Sequence, residues 1–171
     1  MTITQPIGGA AIAICATACG AAAPTAPSPV AAPTTLSLEA EAGTGTGARM
    51  ERTSASGGVT IHLAPGQRRE WTFTIPGPGA EYRVMVRYSN DETGESEVLT
   101  VAVDDAVTGV FRARDTGDDG VGWNTFVSER AGVVALTAGS HRLSVESAGG
   151  DGCVEIDGVT LVPAQGAPIF R

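Results

Sequence analysis

The sequence has no lysine, only two histidines, and no charged side chain in its first 35 residues. Every basic side chain other than histidine is therefore an arginine, and the whole net charge of -8 belongs to residues 36–171. An acidic domain repels nucleic acid and anionic membrane surfaces, so this charge argues against both as partners.

Cysteine is also scarce, with three in 171 residues. Cys15 and Cys19 lie in the apolar N-terminal segment, and Cys153 stands alone in the acidic part. No pair is available for a disulfide within the acidic part, and no Cys-x-x-Cys metal motif occurs. We interpret Cys153 as a small apolar filler beside a buried strand.

Long apolar runs are missing too. The run from Ile7 to Cys19 is too short and too rich in glycine for a membrane span, but it matches the apolar part of a signal peptide. No basic residue precedes it, which a misassigned start codon or a non-secreted protein would explain. We expect residues 1–20 to be a leader and the protein to be secreted. In a second version of this prediction, the protein is held at the cell surface by a lipid attached to Cys19.

The rest of the chain divides by composition. Residues 21–35 are rich in Pro, Ala and Thr, which predicts an extended linker. Residues 36–165 are predicted to form a single domain, and residues 166–171 a C-terminal tail. We expect this domain to be a monomer.

No segment has helical periodicity, and short alternating runs recur instead. Tyr82, Val84, Val86 and Tyr88 alternate with polar or charged residues, as one face of a half-buried strand requires. Together these runs predict an all-β fold, an antiparallel β-sandwich. The predicted strands are 36–42, 48–52, 59–63, 70–75, 81–89, 97–104, 107–113, 123–128, 132–137, 140–147 and 153–162.

Two carboxylates open the domain, in the run Leu-Ser-Leu-Glu-Ala-Glu-Ala from Leu36 to Ala42. On a strand, Glu39 and Glu41 would share one face, where like charges repel unless a cation lies between them. Asp157 is a third acid, on the last predicted strand. If the first and last strands are neighbours, the three acids predict a calcium site that joins the two ends of the domain.

An ordered series of motifs then resembles the carbohydrate-binding modules of families 6 and 35, which have a galactose-binding-like jelly-roll fold. The resemblance covers about Leu36 to Pro163. The matching motifs are Glu39-Ala-Glu41, Ser56-Gly-Gly-Val59, Trp71-Thr-Phe-Thr-Ile75, Tyr82-Arg-Val-Met-Val-Arg-Tyr-Ser-Asn90, Gly122-Trp123, Val134-Ala-Leu-Thr-Ala-Gly139 and Ile156-Asp-Gly-Val-Thr-Leu161.

The resemblance implies binding of a polysaccharide or oligosaccharide without catalysis, and a structural calcium ion. By this resemblance the metal ligands are Glu39, Glu41, Asp157 and an oxygen near Thr53. The sugar would lie at the loop edge of the sandwich, and the residues expected to contact it are Trp123, Asn90 and Glu155. Glu155 stands where family 6 relatives often carry an asparagine.

Several alternatives stay open at this point. Trp71 alternates with core positions, whereas Trp123 could either stack on a sugar ring or cap the core. The loop 115–120 is either a solvated acidic loop or a second calcium site. Neither histidine lies in a nucleophile motif and a small sandwich offers little cleft, so we do not expect an enzyme. The alternative function is a structural or adhesive ectodomain that binds a protein partner.

Overall fold

The computed structural model describes residues 32–91, 96–117, 122–150 and 152–164, and strands dominate them. Three short 3₁₀ turns accompany the strands, at Ala40–Ala42, Ser56–Gly58 and Gly122–Asn124. The strands are β1 (Leu36–Glu39), β2 (Thr44–Gly45), β3 (Ala48–Glu51), β4 (Val59–Leu63), β5 (Arg68–Ile75), β6 (Ala80–Ser89), β7 (Glu97–Val103), β8 (Ala106–Ala113), β9 (Val127–Leu136), β10 (Gly139–Gly149) and β11 (Val154–Pro163).

The strands form two antiparallel sheets. Sheet A has the order β3-β4-β11-β6-β9, with β1 also paired to β11, and sheet B has the order β2-β5-β10-β7-β8. Leu36 pairs with Leu161 and Glu39 with Gly158, so the first and last strands are neighbours. The predicted all-β antiparallel sandwich is therefore confirmed.

The core lies between the two sheets and is formed by alternate residues of each strand. Trp71 is buried, as predicted, and its indole Nε1 donates a hydrogen bond to the Glu39 carbonyl, 2.8 Å away. Other large buried apolar side chains include Ile61, Leu63, Phe73, Ile75, Tyr82, Val84, Val86, Tyr88, Leu99, Val101, Leu136, Leu143, Val145, Ile156 and Leu161. Burial of this much apolar surface is the main force that holds the sandwich together.

The predicted strand 36–42 is wrong in its second half, because β1 ends at Glu39 and the chain turns at Ala40–Ala42. Arg69 stabilises this turn. Its Nε donates to the Ala40 carbonyl at 2.9 Å, and its Nη2 donates to the Gly43 carbonyl at 2.5 Å. The turn carries the chain from sheet A to β2 of sheet B, so Glu39 and Glu41 do not share a strand face.

The predicted strands 123–128 and 132–137 are also corrected, since β9 is continuous from Val127 to Leu136. A register shift opposite Val84 and Met85 leaves Ala131 without a pairing partner on β6, so β9 bulges there without ending. A side chain at Gly132 would lie 2.3 Å from the Thr108 carbonyl, so the glycine allows β8 and β9 to approach closely. It is a packing position and not a strand break.

The predicted leader, Cys19, most of the linker and the tail 166–171 lie outside the described residues. Within the described residues, no helix is long and apolar enough to cross a bilayer.

Candidate functional site

Glu155 is a fully buried carboxylate on the outer face of sheet A. Its neighbours in sequence, Val154 and Ile156, point into the core. Arg52 binds it through two hydrogen bonds, from Nε to Oε2 at 2.8 Å and from Nη2 to Oε1 at 2.5 Å. Thr60 donates a further hydrogen bond to Oε2 at 2.8 Å. The hydrogen bonds to this carboxylate raise the pKa of the Arg52 guanidinium.

Trp123 lies on the same outer face and is half-buried. Its ring centre is 5.1 Å from that of His62, and the Arg52 guanidinium carbon is 5.9 Å from it. His62 alternates in β4 with the buried Ile61 and Leu63. Trp123 therefore covers the outer face of sheet A and does not cap the core between the sheets.

The 3₁₀ turn that carries Trp123 is fastened to the segment after β3. Asn124 Nδ2 donates to the Thr53 hydroxyl at 2.8 Å, and the Ser54 backbone N–H donates to Asn124 Oδ1 at 3.1 Å. These two bonds set the position of Trp123 against Arg52.

A groove of about 550 Å³ adjoins this cluster. Arg52 both lines the groove and lies against the Trp123 ring. The other lining residues are Glu51, Thr53, Gly57, Gly58 and Val59. An aromatic ring beside a shallow groove lined by polar groups suits a polar ligand with one apolar face.

The acids Glu39 and Asp157 are connected through Ser56. The Ser56 hydroxyl donates to Glu39 Oε1 at 3.1 Å, and its backbone N–H donates to Asp157 Oδ1 at 2.9 Å. Glu41 lies against the next residue, since a side chain at Gly57 would come within 2.8 Å of Glu41 Oε1. Gly57 also has a φ of 66°, so glycine suits this position for two reasons.

The donor set at this acid cluster fits a hard cation in part. Glu39 Oε2 and Glu41 Oε2 are both buried without a hydrogen-bond partner, which is unfavourable unless a cation binds them. Asp157, however, also pairs with the Arg87 guanidinium. Among the described residues, no group of three or more His, Cys, Asp or Glu side chains is arranged to hold a metal. The calcium ion therefore stays a prediction.

Thr53 is not part of this cluster through its side chain, because its hydroxyl accepts the hydrogen bond from Asn124. Ser56 is the hydroxyl residue that contacts the acids. The expectation that the segment before Gly57 supplies further oxygens to a calcium ion stays a prediction.

Asn90 does not fit the predicted contact with a sugar. Its side chain is fully buried, and its amide nitrogen donates to Glu97 Oε2 at 2.5 Å and to the Ala113 carbonyl at 2.8 Å. Glu155 likewise has no exposed surface. The structure assigns Glu155 a different task, which is to hold Arg52 beside Trp123.

Sequence reasoning missed Arg52, Thr60 and His62. A signal was present in β4, where Thr60 and His62 alternate with core residues and so mark the outer face. Nothing in the sequence indicates that Arg52 contacts Glu155, 103 positions away.

His141 lies elsewhere in the fold and binds Asp104. Its Nδ1 is 2.7 Å from Asp104 Oδ2, and its Nε2 is 2.9 Å from the Thr137 carbonyl. Both partners only accept hydrogen bonds, so the geometry favours the charged ring, in which both nitrogens donate. The Asp104 carboxylate accordingly raises the pKa of His141.

Comparisons of the fold with solved structures identify its type. A family 35 carbohydrate-binding module from Clostridium thermocellum aligns over 77% of this chain and 99% of its own, with 18% identity and a TM-score of 0.64. The chain has the family 35 module fold. No family model and no curated protein sequence matches it.

Two enzymes share this family 35 fold over part of their length. The GH26-CBM35 β-(1,4)-mannanase of Podospora anserina aligns over 79% of this chain with 20% identity and a TM-score of 0.61. The exo-β-1,3-galactanase of Phanerochaete chrysosporium aligns over 78% of it with 21% identity and a TM-score of 0.60. This chain spans 29% and 30% of those two proteins.

Proposed function

We propose that this chain is a non-catalytic module that binds an oligosaccharide or polysaccharide beside Trp123. The observation that carries the proposal is the half-buried Trp123 ring, next to a groove of about 550 Å³ whose Arg52 is held by a buried carboxylate. An aromatic face packs against the C–H face of a sugar ring, and a fixed guanidinium donates hydrogen bonds to hydroxyl groups. The shared fold supports the proposal, since the Clostridium thermocellum neighbour is itself a carbohydrate-binding module.

The test is a Trp123→Ala variant, titrated with soluble mannan, galactan and xylan. We expect affinity to fall about tenfold or more while the unfolding midpoint changes little, because the ring lies outside the core. Val107→Ala is the control, since this side chain is 65% exposed on β8 of sheet B. Equal affinity in the wild type and Trp123→Ala would reject the site, and no binding by the wild type to any glycan would reject the function.

The proposal includes a structural calcium ion held by Glu39, Glu41 and Asp157. The buried, unpartnered oxygens of Glu39 and Glu41 support it. A cation there would join the end of β1 to β11 and to the Ser56 segment. A ligand that binds only the folded state raises the unfolding midpoint, so calcium should raise it and a chelator should lower it.

The matched variants for this test are Glu41→Gln and Glu81→Gln, the second being an exposed acid on β6. We expect the calcium-dependent rise to disappear in Glu41→Gln and to persist in Glu81→Gln. If calcium does not change the unfolding midpoint of the wild type, the calcium part of the proposal is rejected, and the proposed sugar binding is not affected by that result.

We place the module outside the cell, secreted or attached at the surface through Cys19. The apolar run from Ile7 to Cys19 and the Pro-rich linker after it support this location. Mass spectrometry of the mature protein tests it, because cleavage before Cys19 with a lipid adduct, cleavage without one, and an intact N-terminus are distinct masses.

A protein-binding ectodomain is the second candidate. Exposed valines on β8 and β9 favour it, with Val107 65%, Val110 57% and Val133 44% exposed. A triple Val→Ser variant that keeps glycan affinity but loses a protein partner would support this function.

A further inference from the structure

Arg52 is the one basic residue among those that line the groove, and Glu51 is the one acid. The Arg52 side chain keeps 23% of its surface exposed, whereas that of Glu155 has none. An arginine at a binding groove ordinarily favours anionic ligands, because its guanidinium forms bidentate hydrogen bonds with carboxylates and sulfates.

Here Glu155 already occupies part of this hydrogen-bonding capacity of Arg52. Glu155 accepts hydrogen bonds from both Nε and Nη2, which is one full bidentate face of the guanidinium. The two charges of the pair lie within hydrogen-bonding distance and largely cancel at the groove. Glu51 adds a negative charge to the same groove, within a chain of net charge -8.

An anionic sugar entering this groove would therefore lose hydration without gaining an unpaired cation. A neutral sugar loses less hydration than an anionic one, and its hydroxyl groups can accept from the guanidinium N–H groups that Glu155 does not use. The charge of the ligand is thus decided by a residue that the ligand does not touch.

We propose that Glu155 determines the charge class of the bound glycan: by neutralising Arg52 it makes the groove select neutral sugars over uronic acids and sulfated sugars. This inference rests on the proposed function and specifies its ligand. Glu155 acts through Arg52 and is a positioning residue.

The experiment compares mannohexaose and galactotriose with trigalacturonate, by calorimetric titration at about pH 8, where ordinary histidines are neutral. The wild type should bind a neutral oligosaccharide at least about tenfold more tightly than trigalacturonate. Glu155→Gln keeps the size of the side chain and frees the charge of Arg52. It should gain at least about tenfold in affinity for trigalacturonate, and about 0.5 M NaCl should remove most of that gain.

Glu51→Gln is the matched control, because it removes one negative charge from the same groove without freeing Arg52. An equal gain in Glu51→Gln and Glu155→Gln would overturn the proposal, since the effect would then reflect net charge alone. The double variant Arg52→Gln/Glu155→Gln should lose the gain.

The wild-type comparison stands by itself if Glu155→Gln fails to fold. Wild-type binding of trigalacturonate as tight as that of the neutral oligosaccharides would overturn this inference and leave the proposed function intact. No binding of any oligosaccharide by the wild type or by Glu155→Gln would overturn both.

Discussion

The two sheets carry arginine–carboxylate pairs of opposite character. The pairs of sheet A are Arg52–Glu155 and Arg87–Asp157, and those of sheet B are Arg68–Glu70 and Arg142–Asp105. The carboxylates of sheet A are 0% and 1% exposed, whereas those of sheet B are 33% and 69% exposed. The pairs of the two sheets should therefore contribute differently to stability. Removing the partner of a buried charge destabilises the fold strongly, whereas removing the partner of a solvated charge changes the stability little.

The difference follows from what covers each face. On sheet A, the segment after β3 and the turn that carries Trp123 lie over the outer face and exclude water from Glu155. The candidate site and the buried charges therefore occur together, on the sheet whose face is covered.

The largest expected effect comes from Arg52→Ala, which leaves Glu155 buried without its main partner. We expect a loss of about 3–5 kcal/mol of unfolding free energy, or a midpoint lower by roughly 10 °C. Denaturant unfolding followed by tryptophan fluorescence measures it. A loss below about 1 kcal/mol would contradict the expected difference in stability between the buried pairs of sheet A and the exposed pairs of sheet B.

A smaller effect is expected for Arg87→Met, because the Arg87 side chain is 36% exposed. Besides Asp157, Arg87 binds the Ser54 carbonyl at 3.1 Å and lies 4.7 Å from the Phe126 ring centre. We expect a loss of about 1–3 kcal/mol in chelator. Calcium should restore part of it, since a cation at the acid cluster also neutralises Asp157. Arg83→Met, an exposed arginine on the same strand, is the control, and equal losses with and without calcium would contradict the expectation.

The pair His141–Asp104 should give a pH-dependent effect near sheet B. Asp104 raises the pKa of His141 above its ordinary 6.5, and His141 lowers that of Asp104 below its ordinary 3.8. The stability due to His141 is complete below about pH 6.5 and is lost as the pH rises through the raised value. The part due to Asp104 is complete above about pH 3.8 and is lost as the pH falls through the lowered value.

The matched variant is His141→Gln. We expect it to unfold roughly 3 °C below the wild type at about pH 5.5 and to approach the wild type as the pH rises through the raised pKa of His141. The effect is modest because half of the Asp104 side chain is exposed, which screens the pair. A constant difference over this pH range would show that His141 contributes through packing against Phe73 and not through its charge.

The smallest effect is expected for Arg142→Ala, whose partner Asp105 is mostly in solvent. We expect the unfolding midpoint to change little, and high salt should make this small difference from the wild type smaller still. Thermal unfolding at low and high ionic strength checks this, and a loss as large as that of Arg52→Ala would remove the distinction between the sheets.

Local periodicity was enough to predict most strands. In β6 and β5, alternate apolar residues such as Val84, Val86 and Phe73 identify the buried face without any knowledge of the partner strand. The turn at Ala40–Ala42 could not be predicted in this way, because it depends on hydrogen bonds from Arg69 in another sheet. The acids of the first and last strands were found from the sequence, but the Arg87 that competes for Asp157 was not.

The sequence by itself determined the fold class and the acidic character of the domain, because alternation and composition are local properties. That β1 pairs with β11 was decided by the tertiary structure. Only the tertiary structure decided which polar residues are accessible. Asn90 and Glu155 look like solvent-facing polar residues in the sequence, yet both are fully buried. Their burial depends on side chains from distant strands, and Arg52 meets Glu155 across 103 positions of sequence. A long-range contact of this kind arises when β3, β4 and β11 align side by side in sheet A, so it leaves no local pattern to read.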